Sequence, residues 1–491
     1  MVGGGSNGAS SIATCVPAAD VAETIVPVRG RSPRRVLIGL IFGAMVACRP
    51  GAPAPGSATA DRAMIEAARG VAAWLRSTHV RTAEGAAWPD DAMRPSTQSL
   101  GLGSGVAGQV WFFAELSALT GDSIHVAATR EGAEMLLGEL SRRDSLPLGG
   151  ELTLYRGAPG VAIALQAASR ATGDPRYAEA YRSIATDLAR RARERADQVS
   201  WSDSNDVLFG DAGTGLFVLS AGRELRDTAL VNAAAAVAHT LVKRGVHAEG
   251  GMTWHRSTGS RFILPNFSHG AAGIGLFLAM AGQAARDPSL DSAAILAAGY
   301  LTRVGRRDSL GFRVPYGWPA PDGGWARPFD VGWAHGPAGT ARLFWQLWRA
   351  TGDSAYLAIV DDCVRAIRAA GLFGLPQPDY GRTPFALTTR FDLAGVADFL
   401  ADLYAVTGER SHLQLAREIA DTIVARADAP RSGQLRWVAP RYGFMTDAGQ
   451  PGALTGYLHG AAGYGFLFIK LHALEQGMTP PRRLPDNPFG A

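Results

Sequence analysis

Two kinds of apolar pattern alternate along the chain. One is apolar on every side with few charges, as in "VAIALQAASRA" (Val161 to Ala171). It predicts a helix buried all round. The other sets apolar residues at helical spacing among charges, as in "PRYAEAYRSIATDLARRARERA" (Pro175 to Ala196). It predicts a helix with one buried face.

The punctuation between them repeats. A Gly-x-x-Gly turn opens each apolar stretch, at Gly105/Gly108, Gly157/Gly160, Gly210/Gly213, Gly270/Gly273, Gly336/Gly339 and Gly460/Gly463. A degenerate "AGVADFLADLY" at Gly395 makes seven copies, spaced by 52 to 66 residues. "TGD" at Thr120, Thr172 and Thr351, and "TGE" at Thr407, separate the apolar helix from the amphipathic one. There the Gly suits a helix C-cap and the acid suits the next helix's first turn. A further amphipathic helix, residues 61–77, precedes the first turn.

Length alone argues for two or three domains, but a period of two helices per unit overrides that. The pattern predicts an all-α fold: an α/α toroid, or barrel, of seven helical hairpins, with seven apolar inner helices and seven outer ones. All seven turns then lie at one end, and the residues just before them converge on a central cavity. The expected division is 1–56 as leader and tether, 57–478 as a single toroid and 479–491 as a C-terminal tail.

Composition adds a destination. "RGRSPRR" (Arg29 to Arg35) followed by "VLIGLIFGAMVA" (Val36 to Ala47) reads as an export signal, too short to span a bilayer with these flanks. Cys48 ends "MVAC", which resembles a bacterial lipobox, before a Pro/Ala/Gly tether. The expectation is an exported chain: an envelope lipoprotein lipidated at Cys48, or a secreted protein with the leader cleaved. Only Cys363 remains beyond it, so neither a disulfide nor a Cys-rich zinc site is available to the mature domain. The net charge of +4 implies no nucleic-acid partner, and a monomer is expected.

The candidate chemistry sits at the turns. His269, His335 and His459 each directly precede a turn's first Gly. A helix N-terminus disfavours imidazolium, which suits neutral bases or metal ligands. Asp206 lies four residues before Gly210 and reads either as an active-site carboxylate or as a loop-ordering one. Asp330 and Trp333 share the approach to Gly336, at the end of an aromatic-rich loop that contains Arg327. That loop lines a substrate cleft or packs on itself.

These repeats resemble the lanthionine synthetase C-like family over about Asp61 to Leu474. The resemblance implies a seven-fold α/α toroid. It also implies zinc held by two Cys and one His, which activates a substrate thiolate for addition to a dehydrated Ser or Thr. On that resemblance, His269 in "SHGAAG" matches an acid/base histidine and Asp206 an active-site aspartate. His459 in "LHGAAG" matches the zinc histidine, and His335 replaces a tyrosine. The two zinc cysteines fall on Ala334 and Leu458, and Asp330, with Arg327 nearby, stands where an arginine is expected. One ligand of three cannot hold zinc in the family's manner. Zinc then requires a different, His-rich site of His459, His335 and His269. Whether the chain is an enzyme stays open between three readings. One is a peptide-modifying, thioether-cyclase-like scaffold. The second is a zinc-free peptide or small-ligand binding protein tethered to the membrane. The third is a carbohydrate-active toroid with Asp206 and Asp330 as a carboxylate pair.

Overall fold

The computed structural model describes residues 57–95, 98–142, 151–195, 198–257, 259–260, 263–318, 329–371, 393–440 and 450–490. The leader with Cys48, and Arg327, lie outside the described residues. In chain order the helices are α1 (Ser57–Thr78), α2 (Val106–Thr120), α3 (Ser123–Ser141), α4 (Ala158–Thr172), α5 (Pro175–Arg191), α6 (Asp211–Leu225) and α7 (Thr228–Arg244). They continue as α8 (Ala271–Ala285), α9 (Pro288–Val304), α10 (Pro337–Thr351), α11 (Ser354–Ala369), α12 (Leu393–Thr407), α13 (Arg410–Ala425) and α14 (Ala461–Glu475).

The even-numbered helices are the inner ring. α8 buries nearly every residue from Ala271 to Gly282, as its uniformly apolar sequence requires. The odd-numbered helices bury one stripe; in α5 it is Tyr177, Tyr181, Ile184, Ala185 and Leu188. Each inner helix packs against the outer helix that follows it, and α14 packs against α1. α14 also meets α2, which closes the ring. The seventh hairpin is therefore assembled from opposite ends of the described chain, and the fold is the expected all-α toroid.

The glycine turns are set by close backbone approach. A Cβ on Gly270 would lie 1.5 Å from the Leu264 carbonyl oxygen, and one on Gly339 would lie 1.9 Å from that of Trp333. The approach segment folds under its own turn, and its carbonyls accept the helix's first free N–H groups, as in Ala271 to Leu264 and Ala272 to Pro265. Six of the seven inner helices thus begin at a glycine N-cap without a side-chain cap. The sixth unit is shifted from the sequence reading. α12 has fifteen residues, like its equivalents, and ends on Thr407, so Gly395 occupies the second glycine's place. The first falls on Asp392, outside the described residues.

The acid of "TGD" is itself an N-cap in α5 and α11, where Asp174 and Asp353 accept from the backbone N–H two residues on. Units three and four keep that aspartate but put Arg226 and Arg286 in the left-handed cap, at φ 54° and 57°. What reads as a long loop contains a short antiparallel hairpin after α1, α5, α7, α9 and α13, such as Val246–Ala248 with Gly251–Thr253. A tryptophan directly follows three of them, and Trp437 precedes the strands after α13. Trp88, Trp201, Trp254 and Trp437 donate their indole N–H to the carbonyls of Leu75, Leu188, Leu241 and Ile423 in the outer helix just completed. Among the described residues no helix is long and apolar enough to cross a membrane.

Candidate functional site

With every inner helix starting at the same end, the residue before each first glycine reaches the mouth of the lumen. Among the described turns these residues are Ser104, Arg156, Phe209, His269, His335 and His459. Four of them form a continuous arc. The Arg156 guanidinium lies 5.7 Å from the Phe209 ring centre. Phe209 stacks on His269 at 5.5 Å, and His269 stacks on His335 at 5.6 Å. Tyr316, from the described start of the aromatic loop, closes the arc edge-on to His335 at 4.8 Å. Arg256 adds a second guanidinium 5.8 Å from the Phe209 ring.

One residue deeper, the backbone ties neighbouring turns together. Leu458 N–H donates to Gly103, whose own N–H donates to Tyr155. Leu208 N–H donates to Ser268, whose N–H donates to Ala334. This girdle keeps the arc at one height.

The two oxygens of Asp206 have different partners. Oδ1 accepts from the Phe209 backbone N–H at 2.6 Å and orders the turn. Asn266 does the same for His269 one unit later, at 3.1 Å. The second oxygen, Oδ2, lies 2.9 Å from His269 Nδ1. Asp206 is fully buried, while His269 keeps an exposed edge. A buried carboxylate on Nδ1 fixes the proton there and leaves Nε2 as an acceptor facing the mouth. The loop that carries Asp206 is held from behind by Asp211, which accepts from Ser200 Oγ and from the backbone N–H groups of Trp201 and Ser202. Arg244 clamps the same loop through Asp211, Asn205 and the Ser202 carbonyl. Burial pushes the Asp211 carboxyl up to about 6, against the pull of Arg244.

The other predicted residues are placed differently. Trp333 is fully buried beneath the mouth, edge-on to Tyr155 and Phe267 at 5.4 and 5.5 Å. It is floor, and does not line an open cleft. Asp330 accepts from Gly332 N–H in its own turn, and burial pushes its carboxyl up. His459 stands on the α14 turn, separated from His335 by the α12 unit, and burial pulls its pKa down to about 4.

The zinc donor set does not fit. Ala334 and Leu458 are buried carbon side chains whose backbones serve the girdle. Among the described residues no three His, Cys, Asp or Glu side chains are grouped to hold a metal ion. Cys363 is buried, and burial pushes its thiol up, away from any reactive thiolate. Sequence reasoning missed Arg156 and Phe209, although they share the histidines' register position. The residues at this position differ in type, and only the position is common to all.

A model of the lanthionine synthetase C-like protein family matches residues 96–372, which include Asp206, His269 and His335 but neither Leu458 nor His459. Among solved structures, nisin cyclase is similar at 16% identity and a TM-score of 0.56, over 85% of this chain and 95% of that one. An unsaturated glucuronyl hydrolase specific for heparin is similar at 14% identity and a TM-score of 0.44, over 86% of this chain and 99% of that one. The cellobiose 2-epimerase of Spirochaeta thermophila is similar at 13% identity and a TM-score of 0.45, over 87% and 99%. No curated protein matches at the sequence level.

Proposed function

The chain belongs to the lanthionine synthetase C-like family, and on that premise we propose that its histidine mouth modifies peptides without the family's zinc. In this reading His269 is the general base and Asp206 sets its tautomer. Nε2 of His269 takes the proton of a peptide cysteine thiol. The sulfur then bonds to the β-carbon of a dehydrated residue, and the proton returns to its α-carbon, so atoms balance without a leaving group. Arg156, Phe209, His335 and Tyr316 provide a stacked, partly cationic wall against which a peptide can lie.

The observation that supports this reading most is the 2.9 Å contact between buried Asp206 and His269 Nδ1. A histidine serving only to pack a turn does not need a buried carboxylate behind it. The test is a synthetic peptide with one cysteine and one dehydroalanine. Free thiol is counted by alkylation as the purified protein acts on it. The expected result is thiol loss that survives a chelator and slows at least ~100-fold in His269→Ala. Binding of the peptide with no thiol loss would replace this reading with that of a zinc-free binding protein. A monomer tethered outside the membrane through Cys48 is a separate part of the proposal. Cys48→Ser should move the protein from the membrane fraction to the soluble one.

A further inference from the structure

Residues 479–490 run into the toroid from the end opposite the histidine mouth. The segment enters over Ala118, Leu119, Ala167 and Ala171, at the far ends of α2 and α4. Arg482 meets Glu224 of α6 at 3.4 Å. Arg483 Nε lies 3.0 Å from Asp402 of α12, and Asn487 Nδ2 donates to the other oxygen of Asp402 at 2.6 Å. Asp486, fully buried, accepts from Tyr155 Oη at 2.8 Å, and its carbonyl accepts from Arg342 of α10 at 3.0 Å. Phe489 sits between Trp345 and Phe399, at 5.2 and 5.7 Å. A segment that touches α6, α10, α12 and the turn before α4 lies inside the ring.

The walls around it are those of a polar site. Arg342, Asp398, Asp402 and Lys470 are all buried, and Lys470 pairs with both aspartates. These four are two cations and two anions, and the segment adds one of each through half-buried Arg483 and buried Asp486. These named charges therefore balance with or without the segment. Arg342 Nε and Nη2 and Asp486 Oδ1 have no hydrogen-bond partner among the described residues, which marks a polar contact not fully matched to its walls. A segment serving only as core would face apolar walls.

We propose that the far half of the lumen is a peptide-binding site and that residues 482–490 are its tethered ligand. The ligand class is a peptide spaced Arg-x-x-Asp-Asn-x-Phe: the cation meets Asp402, the acid Tyr155 and Arg342, the amide Asp402 and the ring Trp345. This site is separate from the histidine mouth and stands whether or not that mouth is catalytic.

The exposed stretch 476–479 allows a direct test. A protease recognition sequence inserted there in the full chain lets the folded protein be clipped. The expected result is that the released fragment co-elutes with the ring. A labelled synthetic 479–490 peptide then exchanges into it at one per ring, and Asp486→Asn or Phe489→Ala in that peptide weakens it at least tenfold. Equal binding of the Asp486→Asn peptide, or no uptake by a clipped ring, would falsify the proposal. Loss of the helical signal once the fragment leaves overturns it too, because the segment is then core. As a further measurement on the unclipped chain, Tyr155→Phe should raise protease access at Arg482 and Arg483; unchanged access counts against the site.

Discussion

At the histidine mouth, Phe209, His269 and His335 are partly exposed and meet as stacked rings. In the far half of the lumen, Arg342, Asp398, Asp402 and Lys470 are buried and meet as ion pairs. The first set stands at the turns before α6, α8 and α10 and the second on α10, α12 and α14, and Tyr155, Phe267 and Trp333 lie between them. Stacked, solvent-facing groups cost little to rearrange and can follow a substrate. Buried charges are fixed by their partners, because leaving one unpaired costs several kcal/mol. The mouth is thus suited to chemistry and the far half to holding a defined shape.

Substitutions can break that contrast. The largest effect is expected for His269→Ala, with turnover of a cysteine–dehydroalanine peptide lowered ~10²- to 10⁴-fold. Its melting temperature should stay within a few degrees of the parent's. If both fall together, His269 serves the fold and not the reaction. Next, Lys470→Met leaves Asp398 and Asp402 without their lysine and should cost ~3–5 kcal/mol of stability in a denaturant titration. A neutral result there means that water already pairs the aspartates.

His459 gives a pH signature on the mouth side. Burial depresses its pKa from 6.5 to about 4, so the unfolded chain binds the proton first as pH falls. Its contribution is complete above pH 6.5 and is lost between 6.5 and 4, at up to ~1.4 kcal/mol per pH unit. His459→Gln should flatten the stability profile in that window and leave it unchanged near pH 8. The smallest effect belongs to the outer wall. Trp254→Phe forfeits one indole bond to Leu241, ~1 kcal/mol in melting, with no change at either end of the lumen.

Much of the ring was legible in the sequence, because glycine turns and helix periodicity are local signals. Gly395 misled only in register: its unit lost the first glycine of the pair, and a lone glycine does not tell which of the two it is. The pairing of Asp206 with His269 joins residues 63 apart, and spacing alone could not choose between that role and turn ordering. Trp333 read as cleft because aromatic loops often are; its burial depends on Tyr155 and Phe267 arriving from other units. Arg342, Asp398, Asp402 and Lys470 stand in helices that are otherwise mostly apolar. Only a closed ring brings them to one lumen, and nothing periodic in residues 479–490 announced what enters it.

The α1–α14 pair has a consequence for synthesis. The outer half of this hairpin is made first and the inner half last, so α1 waits on the growing chain with its apolar stripe unpaired. Six hairpins can stack in order as they emerge, but the circle shuts only when α14 arrives. Until then the arc of units is open along one seam, and an early stop anywhere before α14 leaves two raw edges in place of one ring.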